Sequence, residues 1–169
     1  MRYLKDLLFT DTYLIKGHVH TGGKRLSTFL NAARRRFLEM EEATLIQHSG
    51  GKTAQAGKIL ISIDEILLAY EMEVTGDEVM RQLGDRVRDE MEITAHFGSS
   101  FPLELSGKVR KRAIDANALR DHDFIVVMQP VLRGLTSKHS PEYSLLENPA
   151  YLIANRKRIS YIIPETEGS

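Results

Sequence analysis

The chain has 169 residues, and its 23 Lys and Arg balance 23 Asp and Glu, a formal charge of zero that excludes a wholesale polyelectrolyte partner. Hydrophobic residues make up 42% and charged residues 27%, with only 12 Gly and 5 Pro, which suits a folded soluble domain and not a disordered tail. Cysteine is absent, which removes disulfides, thiolate zinc sites and cysteine nucleophiles and suits a reducing, cytoplasmic location.

Met1 to Asp6 lacks the long apolar run and small-residue cleavage site of a secretory signal. Tyr13 to His20 is apolar and β-branched enough for a strand, and Thr21-Gly22-Gly23 supplies turn residues. Leu26, Phe29, Leu30, Ala33 and Phe37 follow at helical spacing, with Ser27 as a cap. Ala43 to Gln47 reads as a second strand, and Ser49-Gly50-Gly51 as a flexible connection. Ile59 to Ile63 and Ile66 to Glu71 form a tight pair around Asp64-Glu65. These apolar stretches are far shorter than the roughly 20 residues a membrane-spanning helix needs.

Thr75 to Glu92 carries Val79, Met80, Leu83, Val87 and Met91 at helical spacing, and from Glu71 to Glu92 eight acids face three arginines. An amphipathic acidic helix lying on a core is expected. Beyond it, Leu103-Glu104-Leu105 meets a turn at Ser106-Gly107, and Lys108 to Ile114 leaves it as a strand. Asp115-Ala116-Asn117 turns the chain, and Asp123 to Gln129 is the strongest strand candidate. A polar loop from Arg133 to Asn148 leads to Ala150 to Ala154, a turn at Asn155-Arg156-Lys157, and Ile159 to Ile163 closed by Pro164.

The two closing pairs superimpose without a gap when Ile59 is placed on Leu152 and Ile66 on Ile159. Upstream, placing Lys16-Gly17-His18-Val19 on Lys111-Arg112-Ala113-Ile114 needs an offset two residues larger, which leaves that register open. The pattern points to an internal duplication. The expected organisation is a mainly β protein with some α: a first small β-barrel with an inserted short helix over 1–74, an acidic linking helix over 75–92, and a second barrel over 93–169.

Leu103 to Val109, Asp123 to Val126 and Arg158 to Pro164 resemble the nucleotide-facing turn, central strand and closing strand of Sm-like small barrels. The likeness covers about 60 residues, and neither the Arg-Gly-Asp/Asn turn nor the Tyr-Lys-His triplet of that family follows the 155–157 turn. In the first half, Arg25-Leu26-Ser27, Leu30-Asn31 and Arg36-Phe37-Leu38 resemble a set of uncharacterised bacterial proteins, with Thr28 where those have Asp. The resemblance implies that Leu26, Leu30 and Phe37 plug the barrel, that Ser27 or Asn31 satisfies helix-end groups, and that Arg25 and Arg36 stay solvated.

No catalytic set is evident, so no enzyme and no cofactor is expected. His18 and His20 lie two apart and would project from one strand face, as a two-histidine metal site requires, with His48 or Asp64 as a third ligand. No spacing links them, and an exposed strand face carrying two histidines is the commoner explanation. Gly50-Gly51-Lys52-Thr53 lacks the first glycine of a phosphate loop. The functional signal that remains is basic: Arg34, Arg35 and Arg36; Lys108, Arg110, Lys111 and Arg112; and Arg156, Lys157 and Arg158. Two readings follow. One is a structural or adaptor module whose partner is another protein or a further copy of the chain, joined through open strand edges. The other is weak, sequence-blind binding of RNA or another anion by the basic clusters.

Overall fold

The computed structural model describes residues 5–32, 34–72, 89–100, 102–115, 123–135 and 141–165. Among the described residues ten antiparallel strands form one open sheet. The first five are β1 (Lys5–Thr10), β2 (Tyr13–Val19), β3 (Phe37–Gln47), β4 (Thr53–Ser62) and β5 (Ile66–Glu71). The others are β6 (Glu90–Phe97), β7 (Glu104–Arg110), β8 (Phe124–Arg133), β9 (Tyr151–Asn155) and β10 (Ile159–Pro164). Among the described residues the single α-helix is α1 (Leu26–Ala32).

The strand order is β10-β6-β7-β8-β9-β5-β1-β2-β3-β4. Within each half the order is therefore fifth, first, second, third, fourth, and the halves meet where β9 pairs with β5. The similarity extends to single residues. In the first half Lys16 pairs with Thr44 and His18 with Glu41, so Gly17 faces the two-residue bulge Glu42-Ala43. In the second half Ser106 pairs with Val131 and Lys108 with Met128, so Gly107 faces the bulge Gln129-Pro130. Glu42 and Gln129 both have φ of 48°, in the left-handed region. Bulges of this kind bend a strand sharply, and a close backbone approach explains each glycine. A Cβ on Gly17 would lie 2.8 Å from the Glu41 carbonyl oxygen, and one on Gly107 2.8 Å from that of Met128.

Several expected elements are corrected. Ser106-Gly107 is mid-strand and not a turn, and Lys111 to Ile114 is a 3-10 turn that ends the strand at Arg110. The counterpart of Gly17 is Gly107, so the alignment of Lys16–Val19 with Lys111–Ile114 fails. Glu90 to Glu92 begins β6, because Ile93, Ala95 and Phe97 alternate inward; residues 75–88 of the expected linking helix lie outside the described residues. Helix α1 ends at Ala32, and Phe37 opens β3 with 52% of its surface exposed, so it plugs nothing. The two closing pairs are not hairpins. β4 pairs with β3, and β5 with β1 and β9; the 3-10 turn Ile63–Glu65 carries the chain from one to the other. The equivalent turn Arg156–Arg158 separates β9 from β10.

Two hydrophobic clusters form the interior, and each takes residues from both halves. Leu8, Ile15, Leu26, Leu30, Leu38 and Met40 pack with Phe124, Tyr151 and Ile153. Ile93, Leu105, Val109, Val127 and Leu152 pack with Leu7, Phe9, Leu14 and Leu68. At the junction the pair Leu68–Ala154 enters the second cluster, and the adjacent pair Ala69–Ile153 enters the first. Neighbouring strand residues point to opposite faces, so the clusters lie on opposite sides of the junction strands. The halves are thus interlocked.

Asn31 and Asn155 tie the halves together, and Glu71 ties α1 to β5 within the first half. Asn31 Nδ2 donates to the Phe124 carbonyl at 2.9 Å while its Oδ1 accepts from Phe124 N–H at 2.8 Å, so its amide acts on β8 and not on a helix end. Ser27 lies inside α1; the N–H of Leu26 is met by the Glu71 carboxylate, 3.3 Å away. Asn155 Nδ2 donates to the Ile66 carbonyl at 2.9 Å.

Candidate interaction edges

The two ends of the sheet, β4 and β10, resemble the junction strands in sequence but not in surroundings. Every residue of β9 is buried, as is every residue of β5 except the partly buried Tyr70. β4 and β10 carry the same kinds of residue, Ile59-Leu60-Ile61 and Ile159 to Ile163, yet Leu60 is 63% exposed, Tyr161 55% and Ile163 52%. Among the described residues each pairs on one side alone, β4 with β3 and β10 with β6. The outer row of N–H and C=O groups is then a template for another strand. Beside β4 a shallow cavity of about 300 Å³ is lined by Phe29, Phe37, Leu60, Ile63, Arg35 and His20.

The turns at the strand ends carry opposite charge. Asp64 and Glu65 lead into β5; Arg156, Lys157 and Arg158 lead into β10. They meet at the junction, where Lys157 Nζ lies 3.5 Å from Asp64 and 3.3 Å from Asp123. Asp123 first, then Asp64, hold the Lys157 ammonium above the usual lysine range. The Arg158 Nε is shielded from solvent and has no hydrogen-bond partner among the described residues.

Two of the three basic clusters come together. Arg156 Nη1 donates to the Ala113 carbonyl at 2.7 Å, which sets the 156–158 turn beside Lys111 and Arg112. Lys108 and Arg110 flank the buried Val109 on β7. Arg34, Arg35 and Arg36 are exposed on the segment before β3; the Arg36 carbonyl accepts from Ile63 N–H, which places the acidic Asp64-Glu65 turn between this cluster and the others. Tyr151 is buried, with Arg25 5.6 Å from its ring centroid, whereas Tyr161 stacks on His96 at 4.4 Å.

The histidines do not converge. His18 Nε2 lies 3.3 Å from Glu42 and is buried, while the more exposed His20 lies 2.9 Å from Glu41, whose carboxyl is held below its usual range by that hydrogen bond. His48 sits elsewhere, stacked on Phe9. Its Nε2 faces the Thr10 carbonyl at 2.8 Å and therefore carries the proton, so Nδ1 accepts from the Tyr143 hydroxyl at 2.7 Å. Burial pushes the His48 ring below its ordinary pKa. Among the described residues no three His, Asp or Glu side chains are grouped to hold a metal ion. His122 and His139 lie outside the described residues.

Sequence reasoning located the apolar runs of both edges and the charges of both turns, but not the exposure of Leu60 and Tyr161, which depends on which strand lies alongside. Among the described residues no helix is long and apolar enough to cross a membrane. No family model, curated protein or solved structure gives a significant match to the chain.

Proposed function

We propose that the chain is a non-enzymatic structural or adaptor module, two Sm-like small barrels related by duplication, that acts by joining strand edges. The observation that carries this reading is the repeated strand order, with one fourth-to-fifth-strand junction covered inside the chain and the corresponding strands, β4 and β10, left uncovered by the described residues. The shared glycine-and-bulge position and the two matching 3-10 turns support the duplication. Sedimentation of the purified chain over a wide concentration range tests the reading: the mass should rise with concentration, and a strict monomer at the highest concentration would remove the assembly.

The closeness of the 111–112 and 156–158 segments favours a second reading, binding of RNA or another polyanion. It predicts a salt-sensitive fluorescence titration that weakens in the Arg110/Arg112/Arg158→Ala variant. An unchanged titration, or none at low salt, would exclude it.

A further inference from the structure

We infer that residues 141–146 form an acid-released strap, latched by His48, which covers an apolar face of the first half and uncovers it as pH falls. The inference stands apart from what the open edges join. Two observations carry it: the contrast between two matched rows of the sheet, and the geometry of the latch.

The rows follow from the pairing. Across β5, β1, β2 and β3 the residues Leu68, Phe9, Leu14 and Ile46 stand directly opposite one another. Across β10, β6, β7 and β8 the matching places hold Tyr161, His96, Glu104 and Arg133. The second row lies open, with Tyr161 and Arg133 exposed at its two ends. All four residues of the first row are buried, in one cluster with Tyr143 and Leu146 of the 3-10 segment Pro141–Leu146. The face is apolar where the strap lies and polar at the matching places that the described residues leave open. A displaced strap would bare an apolar strip four strands wide, the kind of surface that marks an interaction site.

Two polar contacts hold the strap to the first half. Lys16 Nζ on β2 lies 3.8 Å from the Glu142 carboxylate, a long, partly exposed ion pair that contributes little. The Tyr143 hydroxyl donates to His48 Nδ1 at 2.7 Å, while His48 Nε2–H donates to the Thr10 carbonyl at 2.8 Å. Burial, and then Glu142, hold the Tyr143 hydroxyl above its usual range, so it stays protonated and able to donate. This arrangement suits the neutral ring. A proton on Nδ1 would meet the tyrosine O–H, and the charged ring would stand out of water between Phe9 and Tyr143. Asp11, in the turn after β1, faces the ring and favours its charge, but its carboxylate also accepts from the Ser100 N–H at 2.7 Å and hydroxyl at 3.1 Å, and burial outweighs it. Lifting the strap returns the ring to water. The open form therefore binds the proton more tightly and gains population as pH falls below the ordinary histidine value of 6.5. One linked proton allows a gain of at most about tenfold per pH unit.

The absence of cysteine allows a direct test. Leu146→Cys puts a thiol at a buried place on the strap, and Leu145→Cys puts one at its exposed neighbour. Both variants are labelled with dithiodipyridine from about pH 7.5 to about pH 4.5, and the ratio of the two rates cancels the pH dependence of thiolate formation. The rate at 146 relative to that at 145 should rise as pH falls, by up to about tenfold per unit. It should stay flat when His48→Gln is added, since an amide can donate to Thr10 and accept from Tyr143 without titrating. Lys16→Ala should leave the rise in place. A flat ratio with His48 present, or an equal rise in the His48→Gln background, overturns the strap. Should Leu146→Cys fail to melt cooperatively, amide exchange of the unmodified chain gives the same reading. Corrected for intrinsic rates, residues 142–147 should lose protection on acidification while β9 keeps it. Protection lost in both together is global acid unfolding, and protection kept in both means no release; either result overturns the proposal.

Discussion

The junction inside the molecule and its two ends are built from the same strands of the pattern, yet one is dry and the others are not. All of β9 is buried, Ile153 included, whereas in β4, at the place matching Ile153, Leu60 is 63% exposed. In β5 Leu68 is fully buried, and in β10 its counterpart Tyr161 is 55% exposed. Both members of the comparison are apolar at Ile59 to Ile61 against Leu152 to Ala154, though Leu67 and Tyr151 of the junction answer to Ser160 and Lys58 at the ends. Burial in this fold therefore depends on what pairs with a strand, and the ends carry apolar side chains that the described residues leave uncovered.

The comparison breaks most sharply under charge. Ile153→Asp places a carboxylate at a fully buried junction position and should cost more than about 4 kcal/mol, enough to abolish cooperative unfolding in urea. Leu60→Asp, at the matching place on the open edge, should change the stability of the single chain by less than about 0.5 kcal/mol while lowering its association. Equal costs for the two would undo the distinction.

The next effect addresses the likeness of the halves. Gly17→Ala and Gly107→Ala each drive a Cβ against backbone and side chain, and each should destabilise by about 1–3 kcal/mol. Gly57→Ala on β4 meets nothing within 4 Å and should not show a steric cost. Urea melts that spared one of Gly17 and Gly107 would show that the two bulges are not equivalent.

Smaller still is the His48 tie between halves. Tyr143→Phe removes its donor and should cost about 1 kcal/mol. Because the folded ring has a depressed pKa, the unfolded chain binds more protons in the window below the ordinary histidine value of 6.5. The His48 contribution is complete above that pH and declines as pH falls through the window toward the folded pKa. His48→Gln should flatten this part of the stability–pH curve, and an unchanged slope would place its cause elsewhere. The least effect is expected from Lys157→Ala: an exposed ion pair is worth about 0–1 kcal/mol, so thermal melts should shift little and less at high salt.

Much of the sheet was legible in the sequence because β-branched and aromatic runs, such as Phe124 to Gln129, have few other ways to be stable. The strand β1 was overlooked, although Leu7, Leu8 and Phe9 are all buried, because both of its faces touch a core and no alternation marks it. β6 was half hidden because Met91 continues a helical spacing from Val79, while the period-two signal of Ile93, Ala95 and Phe97 begins just after it. Spacing places β5, β9, β10 and the end of β4 with their common displacement, but misses Thr53 to Lys58 of β4 and pairs the segments with the wrong neighbours. Local spacing favours a hairpin; the pairing is decided by the distant β1, β3, β6 and β8. Of the candidate residues, the charges of both turns could be read directly, whereas the contact of Arg156 with Ala113 could not, since 43 residues separate them.

Amide hydrogen exchange followed with protein concentration is the most direct test of the open ends. The account predicts that residues 53–62 and 159–164 become slower to exchange as concentration rises, while β5 and β9 are protected throughout. Exchange in the two end strands that stayed the same at every concentration would contradict it.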